Sequence, residues 1–577
     1  MRALALLVAA ALGAADARAA GLGFVYVRAN VGMASGGHAA LVADETVYHL
    51  QNSDGLLLLA RESWPTFHLV YAELENRPLE VARLDVGPEV TERVQRAFAR
   101  LYVEQEIELA RRESLRDDVA WLEASAAHGA APPLRGAGLV APGAAGDPDA
   151  LRLRRSLVAR DGAESLTRAL GEVERRIAEL ASSDDPSRLE SLREALLLRE
   201  AVRALDGAYG LDPRALAPLP AELDDPLSAG ERAGLEALSA RLEAAVGELL
   251  RSARPDRGFA LLLAQARYLA ARRSLATSHL VLLDAFAGAP RGGSRADDVD
   301  DSIRAKRRAQ AGALLRTGRA RVLAGWRVDE ADFNLLEESA SIAARDGRAD
   351  AGGPLSELGL RKLPARARAL DLPPLTGDFS AALAAARARL REQDERLAAR
   401  WSYDLVRRNC ITELARTTDG AFGSPEEAAS ALGASASPDG EPFGFVPFVF
   451  FDRVRGRLRV ERVDSLPSRR ESELARVLAE SPGLATRLRE STVYTSSIYR
   501  PILRDSAFLL FTDDVFWRRP AYGVVNLVYA LGYASYGLVA APFDRGARAE
   551  AGLAGAMWSL PELAFVNVRK GSFDWAD

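Results

Sequence analysis

The period of the apolar positions changes twice along the chain. Between residues 20 and about 100, short β-prone runs sit around turns: Phe24-Val25-Tyr26-Val27, then Ala39 to Ala43. A two-residue turn at Asp44-Glu45 leads into Thr46 to Leu50, and Val81 to Val86 alternates as a strand does. From about 88 to 400, Leu and Ala recur at helical spacing among Arg and Glu, which predicts helices around 88–127, 150–208, 227–286, 298–346 and 379–401. Gly/Pro-rich breaks at His128 to Asp149, Leu211 to Pro226 and Ala287 to Arg295 separate them. Leu383, Leu390 and Leu397 lie seven apart in the last helix, which reads as an amphipathic packing helix, three such leucines being too few for a coiled coil. Beyond Trp401 the mixture returns. A helix is expected to begin near Cys410, with strand-like stretches at Phe443 to Phe451, Arg457 to Val463 and Phe508 to Thr512.

Two β-containing ends around a helical middle predict an α+β domain interrupted by a large all-helical insertion, because neither end alone has enough strands for a core. The expected divisions are a signal peptide at 1–19, the first part of the domain at 20–87, and the insertion at 88–400. The second part follows at 401–465 and a mixed extension at 466–577. Arg2, the apolar run Leu4 to Leu12 and Ala17-Arg18-Ala19 have the order of a signal peptide, which implies export, with the periplasm as the expected location. In the extension, Ala521 to Phe543 runs 23 residues without a charge. That length suffices to span a bilayer. Its glycines, Asn526 and Pro542, together with Arg518-Arg519 before it, favour a buried segment or a membrane-surface contact instead.

Composition narrows the function. With 48% hydrophobic and 27% charged residues among 577, the chain reads as folded, and a net charge of −5 gives no reason to expect nucleic acid. A single cysteine excludes intrachain disulfides and multi-thiolate metal sites. No P-loop, H-E-x-x-H, G-x-S-x-G or dinucleotide fingerprint is present, so no cofactor or metal is expected.

The candidate chemistry rests on Cys410 and two of the five histidines. In Tyr403-Asp404-Leu405-Val406-Arg407-Arg408-Asn409-Cys410, Asn409 is placed to cap a helix whose first turn holds the thiol. Helix start and neighbouring arginines predict a lowered thiol pKa, with Glu413 opposing. If Asp44-Glu45 is a two-residue turn, Ala43 pairs with Thr46 and Ala40 with His49. His38 and His49 then face the same side as diagonal neighbours, roughly 7–8 Å apart at Cα. A one-residue change in the turn would send His49 to the other face.

Gly37-His38 opening a strand, a second histidine eleven residues on, and a distant Tyr-x6-Cys with Asn-Cys at a helix start resemble the circularly permuted NlpC/P60 papain-like superfamily. Its relatives include lecithin:retinol acyltransferase-like, YiiX-type and periplasmic "Lnb N-terminal" type proteins. The resemblance covers roughly 20–86 and 395–465. It implies Cys410 as nucleophile, His38 as base, His49 as the group orienting it, and Tyr403 and Asn409 beside the substrate. The separation of His38 from Cys410 exceeds the usual spacing, and Cys-Ile-Thr-Glu departs from the acyltransferase branch's Asn-Cys-Glu-His. The expected function is an exported cysteine hydrolase acting on an amide in a peptide or peptidoglycan stem. Two alternatives stand beside it. One is a thiol acyltransferase or lipid esterase acting on lipid acyl groups. The other is a non-catalytic periplasmic binding or assembly module, in which the helical insertion receives a protein partner.

Overall fold

The computed structural model describes residues 21–28, 37–53, 55–128, 134–183, 188–284, 330–346, 379–438, 443–499, 505–512 and 517–565, with short helical pieces between 312 and 323. The expected signal peptide and the break at Ala287 to Arg295 lie outside them. The protein is of mixed α+β class and divides into two compact units, one holding residues up to Glu108 and from Arg396 onward, the other Leu109–Glu395.

The first unit is built on a six-stranded antiparallel sheet. Its strands are β1 (Leu22–Val27), β2 (His38–Ala43), β3 (Thr46–Ser53), β4 (Leu56–Ser63), β5 (Leu79–Leu84) and β6 (Val460–Leu466), in the order β4-β3-β2-β1-β5-β6. Every pairing is antiparallel, and β6 closes the edge with Leu79 opposite Leu466 and Val81 opposite Asp464. The two chain ends therefore share one sheet. Asp44-Glu45 is the two-residue turn, and the register pairs Ala43 with Thr46 and Ala40 with His49. A turn of this kind needs a positive φ, which Asp44 supplies at 53°.

Both faces of the sheet are covered. One packs on α1 (Trp64–His68) and the π-helical turn that follows it, burying Val25, Val42, Phe67 and Tyr71. On the other, Phe24, Leu41 and Tyr48 meet the helices α2 (Pro88–His128), α4 (Cys410–Asp419) and α6 (Pro447–Arg457). Between α4 and α6 lies α5 (Pro425–Leu432), and α3 (Phe379–Trp401) precedes α4. The strand expected at Phe443 to Phe451 is instead a turn followed by α6. Pro447 starts that helix at its first position, where a missing N–H costs nothing, and Phe450, Phe451 and Val454 fall on its buried side.

Further on, α7 (Arg469–Glu480) and α8 (Leu484–Glu490) lead to a helical hairpin, α9 (Arg519–Asp544) and α10 (Ala547–Glu562). Phe508 to Thr512 is no strand; only Leu510 forms a bridge, to Thr492. The alternative that Ala521 to Phe543 is a buried segment is also corrected. The segment forms one helix, and only 28% of its most apolar stretch is buried.

The second unit is nearly all helical. The run expected at 150–208 is three helices, Pro148–Asp161, Ser165–Ser182 and Arg188–Asp206, and Ala229–Arg251 and Arg257–Thr277 follow. A small ribbon, Val140–Ala145 with Tyr209–Leu211, lies where Gly/Pro-rich breaks were expected. A buried ion pair, Arg267 to Glu337 at 2.9 and 2.8 Å, ties Arg257–Thr277 to Glu330–Asp346. The unit boundaries at 108/109 and 395/396 fall inside α2 and α3, so both helices begin or end in the sheet-containing unit.

Candidate active site

The thiol is delivered by a tight turn. Asp404 Oδ1 accepts the N–H groups of Val406 at 3.0 Å and Arg407 at 2.6 Å, and these bonds hold its carboxyl below the usual carboxylate range. Asn409 then caps α4, its Oδ1 accepting from Ile411 N–H at 2.8 Å and Thr412 N–H at 3.0 Å. Its Nδ2 donates to Leu405 O at 2.7 Å and Phe445 O at 2.9 Å. All four bonding positions of that buried amide are committed to main chain. Asn409 is thus a positioning residue for Cys410, which corrects its expected place against substrate.

Around the sulfur the expectation of a lowered pKa fails. Burial pushes the Cys410 thiol up to about 11, outweighing the N–H groups of Ala39, Ile411 and Cys410 itself, and the charge of Arg77. Desolvation is the larger effect, and the guanidinium of Arg408, expected to act on the sulfur, is engaged elsewhere, donating to Ala399 O at 2.9 Å. The cation that does act on the thiol, Arg77, precedes β5 in a distant stretch of sequence. Tyr403 lies near enough that, after burial, a charge on Cys410 is what most raises its hydroxyl pKa.

The two histidines meet. His38 Nε2 and His49 Nδ1 are 3.1 Å apart, and Gln51 Nε2, a donor, is 3.5 Å from the same His49 nitrogen. With a donor group also aimed at it, His49 Nδ1 is best read as the acceptor. His38 then carries its proton on Nε2 and keeps Nδ1 as a free base, while His49 carries its own on Nε2. That nitrogen faces Glu62 Oε2 at 3.6 Å, and both groups are buried with neither carboxylate oxygen hydrogen-bonded. Burial, then His49, then Arg77 hold His38 well below the ordinary imidazole pKa. Tyr71 stacks on His38 with centroids 5.5 Å apart and takes a hydrogen bond from Gln51 at 3.0 Å.

Glu62 was not anticipated, because β4 was not. Leu56 to Leu59 is an unbroken apolar run without alternation, so no strand period showed. Once β4 is placed, Ala60 pairs with His49, and Glu62 becomes its diagonal neighbour on the same face.

Strand parity places His38 and His49 on the face covered by Phe67 and Tyr71, whereas Cys410 packs on the opposite one. The thiol reaches the histidines' strand at the end of the β2–β3 ladder. Pairing stops at Ala40–His49, and the Ala39 N–H beyond it lies close enough to the sulfur to favour the thiolate. No hydrogen bond joins Cys410 to His38, whose Nε2 is engaged by His49. Among the described residues no three His, Cys, Asp or Glu side chains converge as a metal site. No family model matches the chain, and no curated protein or solved structure is similar to it.

Proposed function

We propose that the chain is an exported cysteine hydrolase that cleaves an amide in a peptide or peptidoglycan stem. Its catalytic unit is then a circularly permuted papain-like domain, with residues 109–395 as a helical insertion. The observation that carries the reading is the ordered series Glu62, His49, His38 on three neighbouring strands, β4, β3 and β2, with the N–H of Ala39, next to His38, close enough to the Cys410 sulfur to lower its pKa. His38 Nδ1 takes the thiol proton as sulfur bonds to the carbonyl carbon and the carbonyl electrons move onto oxygen. The Cys410 N–H at the helix start is the nearest oxyanion donor. His38 then gives its proton to the leaving nitrogen as the C–N bond breaks, and water hydrolyses the thioester. His49 orients His38, and the Glu62 carboxylate offsets the imidazolium charge.

The test is turnover of stem peptides and acyl esters by the full chain, with Cys410→Ser and His38→Gln as variants. Amide hydrolysis that falls at least a thousandfold in Cys410→Ser supports the proposal. A second reading, a non-catalytic binding module, is favoured by the raised thiol pKa and the missing Cys410–His38 bond. Absence of turnover on both substrate classes by a folded wild-type chain would establish it.

A further inference from the structure

The hairpin of α9 and α10 is built inside out. Its internal face carries small and polar residues: Gly537 lies so close to α10 that a Cβ there would sit 2.2 Å from Ala549 N, and one on Gly552 would sit 2.4 Å from Ala534 N. Asn526 and Glu562 are wholly buried in it. Asn526 Oδ1 accepts from Leu509 N–H at 3.0 Å and Leu510 N–H at 2.8 Å, its Nδ2 reaches Glu562 Oε2 at 3.3 Å, and Thr512 Oγ1 donates to the same carboxylate. The large apolar side chains point outward instead. Val528 is 66% exposed, Leu538 69%, Val539 78% and Phe543 91%, and Leu553 and Met557 extend the surface onto α10.

In water the polarity of a helix pair runs the other way. Small residues between helices, satisfied polar groups inside and large apolar groups outside suit a hydrocarbon solvent. A groove on a soluble partner would cover one stripe, but it would not explain an interior without large side chains. The charges agree: none interrupts 520–543, while Arg518 and Arg519 stand at one end of α9 and Arg545 and Arg548 at the other. At about 1.5 Å per residue those pairs are roughly 40 Å apart. Arg519 is bonded to the Thr512 and Phe565 carbonyls and Arg548 is paired with Asp544, so Arg518 and Arg545 leave a cation at each end to meet lipid phosphates. Non-helical backbone from Ala507 to Thr512 lies against both helices, with Ala507 N–H bonded to Ala551 O at 2.8 Å and Leu510 to Asn526. This half-buried segment covers one side of both helices and ties them to the polar part of the unit, so the hairpin offers lipid only its outer stripe, which suits one leaflet rather than a crossing.

We infer that α9 and α10 lie lengthwise in the surface of a lipid bilayer, their outer apolar stripe among the acyl chains and their terminal arginines at anionic headgroups. This rests on no catalytic reading. It is tested by flotation of the full chain with phosphatidylcholine vesicles, with and without phosphatidylglycerol, for wild type, Val528→Glu/Leu538→Glu, and Val103→Glu, an exposed apolar control far along the chain. Wild type and the control should float, more strongly with the anionic lipid, and the double variant should lose at least tenfold with an unchanged melting temperature. Equal flotation of the double variant overturns the inference. So does a wild-type dimer that binds no vesicles and that the double variant splits, which would make a second copy of the chain the occupant.

Discussion

The state of the resting thiol can be measured directly. With its pKa at about 11 rather than the ordinary 9.0, Cys410 is ionised at pH 7.5 to roughly 0.03%, against roughly 3% for a free thiol. The more basic thiolate is the better nucleophile, which returns roughly eightfold of that hundredfold deficit. Iodoacetamide should therefore label the native protein about tenfold more slowly than the same chain unfolded in urea, read by intact mass. The logarithm of the rate should climb with unit slope from pH 7 through pH 10, with no inflection near 9. In His38→Ala the profile should stay within about threefold of wild type, because burial, three N–H groups and Arg77 set the thiol pKa. The sequence alone favours the reverse, a thiolate held by a cationic His38. A rate that plateaus between pH 6 and 8 and collapses in His38→Ala would show that ion pair at rest and refute the reasoning.

Other outcomes follow from the same residues. Glu62→Gln should slow hydrolysis by roughly ten- to a hundredfold while leaving the melting temperature equal or higher, since it removes a buried carboxylate that makes no hydrogen bond; a lower melting temperature with unchanged turnover would make Glu62 merely structural. Gly37→Ala should cost about 3 kcal/mol in urea titration, because φ is +90° there and a Cβ would sit 2.6 Å from Val27 O. His38 has a folded pKa below its unfolded value. It therefore contributes stability that is complete above pH 6.5 and lost as pH falls below it, and His38→Gln should flatten that acid limb. Cys410 behaves oppositely: its contribution is complete below pH 9 and lost as pH rises toward 11, a loss Cys410→Ala should abolish.

What the sequence revealed divides along physical lines. The β2–β3 hairpin was legible to the residue pair, because turn length fixes register and register fixes which side chains share a face. Helices in the middle were legible from a 3.6 period, but the runs at 150–208 and 227–286 are three and two helices, whose internal ends the period alone did not mark. Phe443 to Phe451 misled because aromatic and β-branched residues favour strands, while burial of Phe450, Phe451 and Val454 against the sheet decides for a helix. The α9 segment was legible as apolar but not as exposed, since burial depends on what packs against it. Least legible was the electrostatics of the site. Arg77, Ala39 and Glu62 act on Cys410 or the histidines from stretches that no local pattern connects to them.

Glu62 bears on why such a site persists. A carboxylate buried without a hydrogen bond costs on the order of 1–3 kcal/mol or more, and leucine would fill its place in an apolar setting more cheaply. It faces His49 Nε2, itself without a partner at hydrogen-bond distance, and lies near enough to Tyr71 for its charge to raise that hydroxyl's pKa. In the resting state, with His38 neutral, that charge is poorly compensated. In the proposed mechanism His38 takes a proton, the positive charge is shared toward His49, and the carboxylate gains the counterion it lacked. The interaction is thus weaker before proton transfer than after it, which is the condition for a buried charge to lower a barrier instead of merely binding.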